Sequence, residues 1–257
     1  MTVDVDHAVE GPEEAPALVL SNSLGTTRGM WEAQAAALSR SFRVVRYDSR
    51  GHGDSPVPKG PYSIADLGGD VVALLDRLGI ERASFCGLSI GGTTGIWLGV
   101  NAADRIERLV LCCTAAELGP RQQWIERAAL VRVDGTAPLA DATMDRWFTP
   151  EFQEAQPEQV RTMRAALIAT PGEGYAASCD ALRDFDMRAE LGRVAPPTLV
   201  IAGDDDPVGT PERSHELADG IPGARLETIA HARHMAAVEQ PDAVTAALLE
   251  HLEGVTA

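Results

Sequence analysis

The stretch Ala83-Ser84-Phe85-Cys86-Gly87-Leu88-Ser89-Ile90-Gly91-Gly92-Thr93-Thr94-Gly95-Ile96-Trp97-Leu98 decides how the rest of the chain is read. Its first residues form a short apolar run suited to a buried strand, and Ile90 onward reads as a helix. Between them stands Gly87-Leu88-Ser89-Ile90-Gly91, a G-x-S-x-G turn. Where a strand passes abruptly into a helix, a side chain at either flanking position would clash, so both are glycine. The central residue takes a strained conformation that lifts its hydroxyl into the open, which makes Ser89 a candidate nucleophile. A pattern of this length with two glycines also occurs in ordinary turns. The strand before it and the helix after it separate this one from those.

Outward from the turn, short apolar runs alternate with amphipathic ones. Strands are expected at Ala17–Asn22, Phe42–Asp48, Ala83–Leu88 and Arg108–Thr114, with helices at Met30–Ser39, Ile64–Leu78 and Ile90–Asn101. Such alternation builds a parallel sheet with helices on both faces. Thr2–Glu10 alternates more weakly and reads as an edge strand. From about Ala115 to about Leu191 the pattern becomes helical, broken at Pro120, Pro138, Pro150, Pro157 and Pro171. Strands return at Thr198–Gly203 and Arg225–Ile229, with a helix at Pro211–Ala218 between them and a closing helix at Asp242–Leu252. The expected architecture is a mostly parallel, doubly wound α/β sheet built from residues 1–114 and 192–257, with residues 115–191 inserted as a helical cap.

A G-x-S-x-G turn on such a sheet is the mark of the α/β-hydrolase fold, whose catalytic groups follow in the order Ser, Asp or Glu, His. After the strand Thr198–Ala202 comes Gly203-Asp204-Asp205-Asp206-Pro207. Asp206 is the expected third member, because it precedes Pro207 and the turn that carries a side chain across the strand tips. Asp204 and Asp205 read as turn and N-cap residues. Among the histidines, His7 and His52 precede the nucleophile, His215 sits on a helix and His251 lies near the end of the sequence. His231 and His234 both follow the last strand, and spacing alone leaves both open. His52, within Asp48-Ser49-Arg50-Gly51-His52-Gly53-Asp54-Ser55, reads as part of a structural turn. The small polar loop Ser21-Asn22-Ser23-Leu24-Gly25-Thr26 stands where this fold supplies one backbone N–H to an oxyanion hole. Leu24 is that candidate donor, and Ile90, just after the nucleophile, is the other.

With 257 residues, 45% of them hydrophobic and 23% charged, the chain can bury a large core. Its formal net charge of −16 opposes binding to nucleic acid or to an anionic membrane surface. For the same reason an anionic substrate would need a local cluster of arginines. Cys86, Cys112, Cys113 and Cys179 show no C-x-x-C pairing and read as reduced core thiols. No run reaches the roughly 18 apolar residues of a membrane span, and the N-terminus has no basic segment leading into an apolar one. A cytoplasmic location is the default expectation, and the sequence is compatible with a homo-oligomer.

Taken together, these residues resemble the enol-lactonases that open 3-oxoadipate enol-lactone in aromatic catabolism. Asn22-Ser23-Leu24-Gly25-Thr26 followed by Met30-Trp31 is similar to that family's oxyanion loop, where most relatives in the wider fold carry His-Gly. Tyr47 to Gly53, Phe85-Cys86-Gly87-Leu88-Ser89 and Leu109 to Thr114 are also similar, as are Trp124-Ile125-Glu126-Arg127 and Arg146-Trp147-Phe148-Thr149-Pro150. His234 precedes Met235-Ala236-Ala237-Val238-Glu239-Gln240-Pro241, matching a family pattern in which the catalytic histidine stands seven residues before that proline. The resemblance therefore favours His234 over His231. Ile90 in place of a common methionine, the aspartate triplet and Arg28 depart from the pattern.

What the resemblance implies is nucleophilic catalysis by Ser89, Asp206 and His234 on a small-molecule lactone, with Leu24 and Ile90 as oxyanion donors and with no metal or organic cofactor. The implied substrate carries a carboxylate. Arg127, Arg132 and Arg146 are candidate cations for it, and Trp124 and Trp147 candidate apolar walls. The rival expectations are a general carboxylesterase or other lactonase using the same triad, and a ligand-binding protein on the same fold without turnover.

Overall fold

The computed structural model describes residues 1–254. Seven strands form one sheet: β1 His7–Glu10, β2 Ala17–Ser21, β3 Arg43–Tyr47, β4 Ala83–Leu88, β5 Ile106–Cys112, β6 Thr198–Gly203 and β7 Arg225–Ile229. Their order is β1-β3-β2-β4-β5-β6-β7; β1 runs antiparallel to β3 and every other pairing is parallel. The weakly alternating N-terminal segment does supply the edge strand, but only its last four residues, His7–Glu10, pair with β3 and not the whole of Thr2–Glu10.

The central strands are apolar at nearly every position because helices cover both faces. β4 and β6 are buried along their whole length, whereas β7, at the other edge, keeps only Ile229 buried. β5 begins two residues earlier than its apolar run suggested and also ends earlier, because Cys113 takes φ 47° and leaves the ladder direction. The expected helix at Met30–Ser39 is a 3-10 turn, Arg28–Trp31, followed by a helix over Glu32–Leu38. All four cysteines are free and buried.

Strand order reverses direction at β2: β3 lies on one side and β4 on the other. In open α/β sheets, ligands bind at the carboxyl ends of the strands flanking such a switch point. Ser21, the last residue of β2, is in register with Gly87 of β4, so the loop after β2 begins beside the Ser89 turn. Between β5 and β6 the described elements are helical: Arg121–Asp134, Ala140–Trp147, Pro150–Ala155, Pro157–Ala169 and Gly172–Arg183, with short 3-10 turns. This segment rests on the loops at the carboxyl ends. Gly51 packs so tightly on Gly174 that a Cβ there would lie 2.5 Å from the Gly174 Cα. The Met235 N–H donates to the Trp147 carbonyl (3.0 Å), and the Met187 N–H to that of Ala116 (2.9 Å).

Candidate active site

Ser89 joins β4 to the helix Ile90–Asn101 with φ 58° and ψ −114°, a conformation that residues other than glycine rarely adopt. Surrounding bonds hold it there. Its N–H donates to the Cys112 carbonyl (3.0 Å), and its carbonyl accepts from the Thr93 N–H (2.9 Å) and the Thr114 hydroxyl (2.8 Å). A Cβ on Gly87 would fall 2.1 Å from the Gly91 carbonyl oxygen, and one on Gly91 would fall 2.5 Å from that of Ser21. Both glycines are demanded by close backbone approach. The Ser89 hydroxyl does not cap the helix it begins, so it is not consumed by a structural bond there.

Each residue of the aspartate triplet does something different. Asp206 is buried, and its carboxylate faces His234 Nδ1 at 3.1 and 3.2 Å while accepting the Val208 N–H at 2.7 Å. Asp204 accepts the Ala232 N–H (3.1 Å), and Asp205 pairs with Arg233 (2.8 Å). The expectation of an N-cap among them is corrected: Thr210 holds that position for the helix Pro211–Gly220. Asp204 and Asp205 instead brace the segment that carries His234. His231 is exposed at φ 56° and offers its carbonyl to Gln240, whereas His234 is buried. The structure therefore brings His234, and not His231, to the third aspartate.

Glu239 was missed by the sequence reading. One of its carboxylate oxygens accepts the Thr149 N–H (2.7 Å) and hydroxyl (2.9 Å), and the other accepts the Arg233 N–H (2.6 Å). It clamps the inserted helices to the residue before His234. Burial raises its pKa, against the pull of those donors. Its place within the Met235–Pro241 run was the only available signal.

Leu24 and Ile90 are both buried, and neither N–H donates a hydrogen bond among the described residues. Ile90, as the first residue of its helix, has no partner within that helix. The loop carrying Leu24 is tied to the end of β3 at several points. Asn22 Nδ2 donates to the Tyr47 carbonyl (2.8 Å), the Gly25 N–H to His52 Nε2 (3.0 Å) and the Arg28 N–H to Asp48 (2.6 Å). Asp6, Asp48 and Asp54 converge here with metal-like spacing, but they surround the Arg28 guanidinium, which already supplies the countercharge. Arg50, the remaining charged residue of that run, is held by buried Asp70 at 2.6 and 2.7 Å. Burial drives the His52 pKa down to about 4, only partly offset by the Arg50 carbonyl, so the ring is neutral near pH 7.

A cleft of about 640 Å³ opens beside the Asp206–Val208 turn, lined by Leu118, Trp124, Arg127, Arg146, Val208 and Arg213 among others. Arg127 lies over the Trp124 ring at 5.0 Å. Arg146 donates to the Thr143 hydroxyl (3.0 Å). Burial and then the charge of Arg127 lower the Arg146 pKa. Neither arginine forms an ion pair among the described residues, unlike Arg132, which pairs with Glu173 (3.2 Å) and Asp180 (2.5 Å). Trp147 is buried against Phe148 and lies outside this lining.

The model of the α/β-hydrolase fold matches residues 16–241. The chain belongs to that family. Among α/β-hydrolases it is 45% identical, over 94% of its length and 90% of the relative's, to 3-oxoadipate enol-lactonase 2 of Acinetobacter baylyi. It is 42% identical to 3-oxoadipate enol-lactonase 1 of the same organism, over 91% and 87% of the two chains. The crystal structure of an α/β-hydrolase described as the enol-lactonase from Burkholderia xenovorans LB400 superposes with a TM-score of 0.96 at 45% identity, covering 98% of this chain and 97% of that one. The resemblance read from the oxyanion loop and the Ser89 turn is borne out. No helix among the described residues is long and apolar enough to cross a membrane.

Proposed function

We propose that this protein opens 3-oxoadipate enol-lactone to 3-oxoadipate as a serine hydrolase, with Ser89 as nucleophile, His234 as general base and Asp206 as the residue that orients it. The observation that carries this reading is the 45% and 42% identity, over more than nine-tenths of the chain, to two 3-oxoadipate enol-lactonases. The contact between Asp206 and His234 supports a matching mechanism. Asp206 accepts the Nδ1 proton of His234 and leaves Nε2 free to take the Ser89 proton as Oγ attacks the lactone carbonyl. The Leu24 and Ile90 N–H groups receive the developing oxyanion. Collapse of the tetrahedral intermediate breaks the ring C–O bond while His234 returns its proton to the departing oxygen, giving an enol that remains tethered in the acyl-enzyme and tautomerises to the ketone. Water, activated by His234, then attacks the acyl carbon and frees Ser89.

Residues 115–191 act as a cap over this machinery, and the substrate carboxylate is met in the cleft by Arg127 and Arg146, with Trp124 as the apolar wall. A small, charged substrate of this kind fits the expected cytoplasmic setting. The test is hydrolysis of 3-oxoadipate enol-lactone by the native protein and by Ser89→Ala, with a simple aryl acetate run beside it. Fast loss of lactone, abolished by the substitution and far exceeding the ester rate, supports the proposal. Good turnover of the ester without the lactone keeps the triad and removes the substrate, and turnover of neither removes the hydrolase reading.

A further inference from the structure

We propose that His52 is a positioning residue for the oxyanion site, whose neutral imidazole holds the Gly25 N–H and thereby fixes the turn that presents Leu24. The inference rests on the reading of Leu24 as an oxyanion donor. Ser23, Leu24, Gly25 and Thr26 form a β-turn closed by the Thr26 N–H on the Ser23 carbonyl (3.2 Å). Gly25 has φ 79°, while Leu24 has an ordinary negative φ. That combination is a type II turn, in which a positive φ at the third position selects glycine. The central peptide, Leu24–Gly25, takes no part in the bond that closes such a turn. A flip of that peptide alone would leave the closing bond in place, but the bond from Gly25 to His52 also ties the turn as a body to the loop after β3, and a shift of the whole turn would carry with it the Ser23–Leu24 peptide whose N–H is the donor.

In this protein the Gly25 N–H is not left to solvent. It donates to His52 Nε2 at 3.0 Å, and on the other side of the ring Nδ1 lies 3.2 Å from the Arg50 carbonyl. A carbonyl can only accept and a backbone N–H can only donate, so both contacts are satisfied by one species, the neutral ring protonated on Nδ1. The ring is 2% exposed, leaving water little access as a replacement partner. Its own backbone is fixed by the His52 N–H on the Ser49 carbonyl (2.9 Å) and the Ser55 N–H on the His52 carbonyl (3.0 Å). The inserted helices press on Gly25 as well: a Cβ there would sit 2.5 Å from Leu167 Cδ1 and 3.0 Å from Tyr175 Cε2. Asn22 and Arg28 anchor the ends of the loop on β3, and His52 anchors its middle.

Two side chains separate the two contacts of the ring. Gln at position 52 can place an amide oxygen near the site of Nε2 and so accept from Gly25, whereas Asn reaches only as far as Nδ1. The experiment measures kcat and KM on the enol-lactone and on an aryl acetate for native protein, His52→Asn and His52→Gln, with thermal unfolding of each, and the 15N chemical shifts of the His52 ring in the native protein. Loss of one oxyanion donor costs about a hundredfold or more, so misplacing it should cost His52→Asn about tenfold to a hundredfold in kcat. KM should stay within about twofold. His52→Gln should recover most of the lost kcat, and the native ring should carry its proton on Nδ1. A proton on Nε2, equal kcat losses in Asn and Gln, or a loss confined to KM would each overturn the inference. Turnover by the native protein with kcat indifferent to position 52 overturns this inference alone; absence of turnover on both substrates removes the hydrolase reading and this one with it.

Discussion

The polar groups around the Ser89 turn and those of the neighbouring cleft are treated in opposite ways. At the turn, Asp48, Arg50, His52, Asp206 and Glu239 are each held by partners within the protein. In the cleft, Arg127 and Arg146 stand close enough for one to lower the pKa of the other, yet neither forms an ion pair among the described residues. Acids are not scarce, since the chain has 38 acidic residues against 22 basic ones. Arg132, further along the helix that carries Arg127, has two carboxylate partners. Bringing two cations together without an ion-pair partner costs free energy, and the arrangement makes sense if that partner arrives with the ligand. On the proposed reading, the difference divides the site: groups that must be immobile are saturated by the protein, and groups that would bind the substrate are left unsaturated.

The strongest way to break this division is at Ser89. The backbone strain there should cost about 1–3 kcal/mol, released if the residue is glycine. Ser89→Gly is therefore expected to lower kcat by about five to six orders of magnitude. It should also raise unfolding free energy by about 1 kcal/mol, after the added entropy of glycine in the unfolded chain is subtracted. Turnover and denaturant unfolding on the same preparation check both. A loss of stability would mean the turn is not strained and that saturation by neighbours has a different purpose.

The cleft is tested by removing its charges one at a time. Arg127→Met and Arg146→Met should each reduce kcat/KM for the enol-lactone by about tenfold to a hundredfold, as expected for a hydrogen bond to a charged group. For an uncharged aryl acetate each change should be within about threefold, since only a charged substrate uses the pair. Equal losses on both substrates would place the arginines in the architecture of the cleft instead.

The same division explains what could be read from the sequence. The Ser89 turn was legible because its glycines answer to local backbone collisions, and the sheet because buried parallel strands are apolar throughout. Asp206 was identified by its place before Pro207, but the work of Asp204 and Asp205 depends on Arg233 and Ala232, on a loop about 28 residues later. Glu239 was passed over, and His52 read only as part of a structural turn, for a related reason: their partners, Thr149 and Gly25, are distant in sequence and offer only backbone or hydroxyl groups with no pattern of their own. Arg127, Arg132 and Arg146 were indistinguishable as residue types. What separates them is the position of Asp180 and Glu173, which only packing decides.

A saturated interior also predicts how stability varies with pH. Burial lowers both His52 and His251 from 6.5 to about 4. Each is then less protonated in the folded than in the unfolded state between those values, so unfolding free energy rises with pH across that window and is lost as pH falls from about 6.5 to about 4. For His52 a shift of this size corresponds to about 3 kcal/mol, and for the less deeply buried His251 to less. Glu239 and Asp48, raised by burial, act in the opposite sense, because folding disfavours their charged forms. Comparing native protein with His251→Gln by denaturant unfolding at pH 7 and pH 4.5 isolates one contribution: the variant should lose less stability on acidification. An unchanged pH slope would show that His251 is solvated or protonated in the folded protein.

The smallest expected effect is the one that most sharpens the contrast in the cleft. Arg132 shares a helix and a charge with Arg127 but has both its partners already, and Asp180 keeps a second cation, Arg183, at 2.7 Å. Arg132→Gln should therefore change kcat/KM for the enol-lactone by less than about twofold, whereas Arg127→Met changes it by at least about tenfold. Its cost in stability should be about 1 kcal/mol or less, since Arg132 is partly exposed and its ion pairs are screened. Measured together at two ionic strengths, the two variants separate local recognition from the overall field. If Arg132→Gln weakened lactone hydrolysis as much as Arg127→Met, with the loss shrinking in salt, the cleft would be attracting substrate by net positive potential, and the lack of an ion pair at Arg127 and Arg146 among the described residues would carry no special meaning.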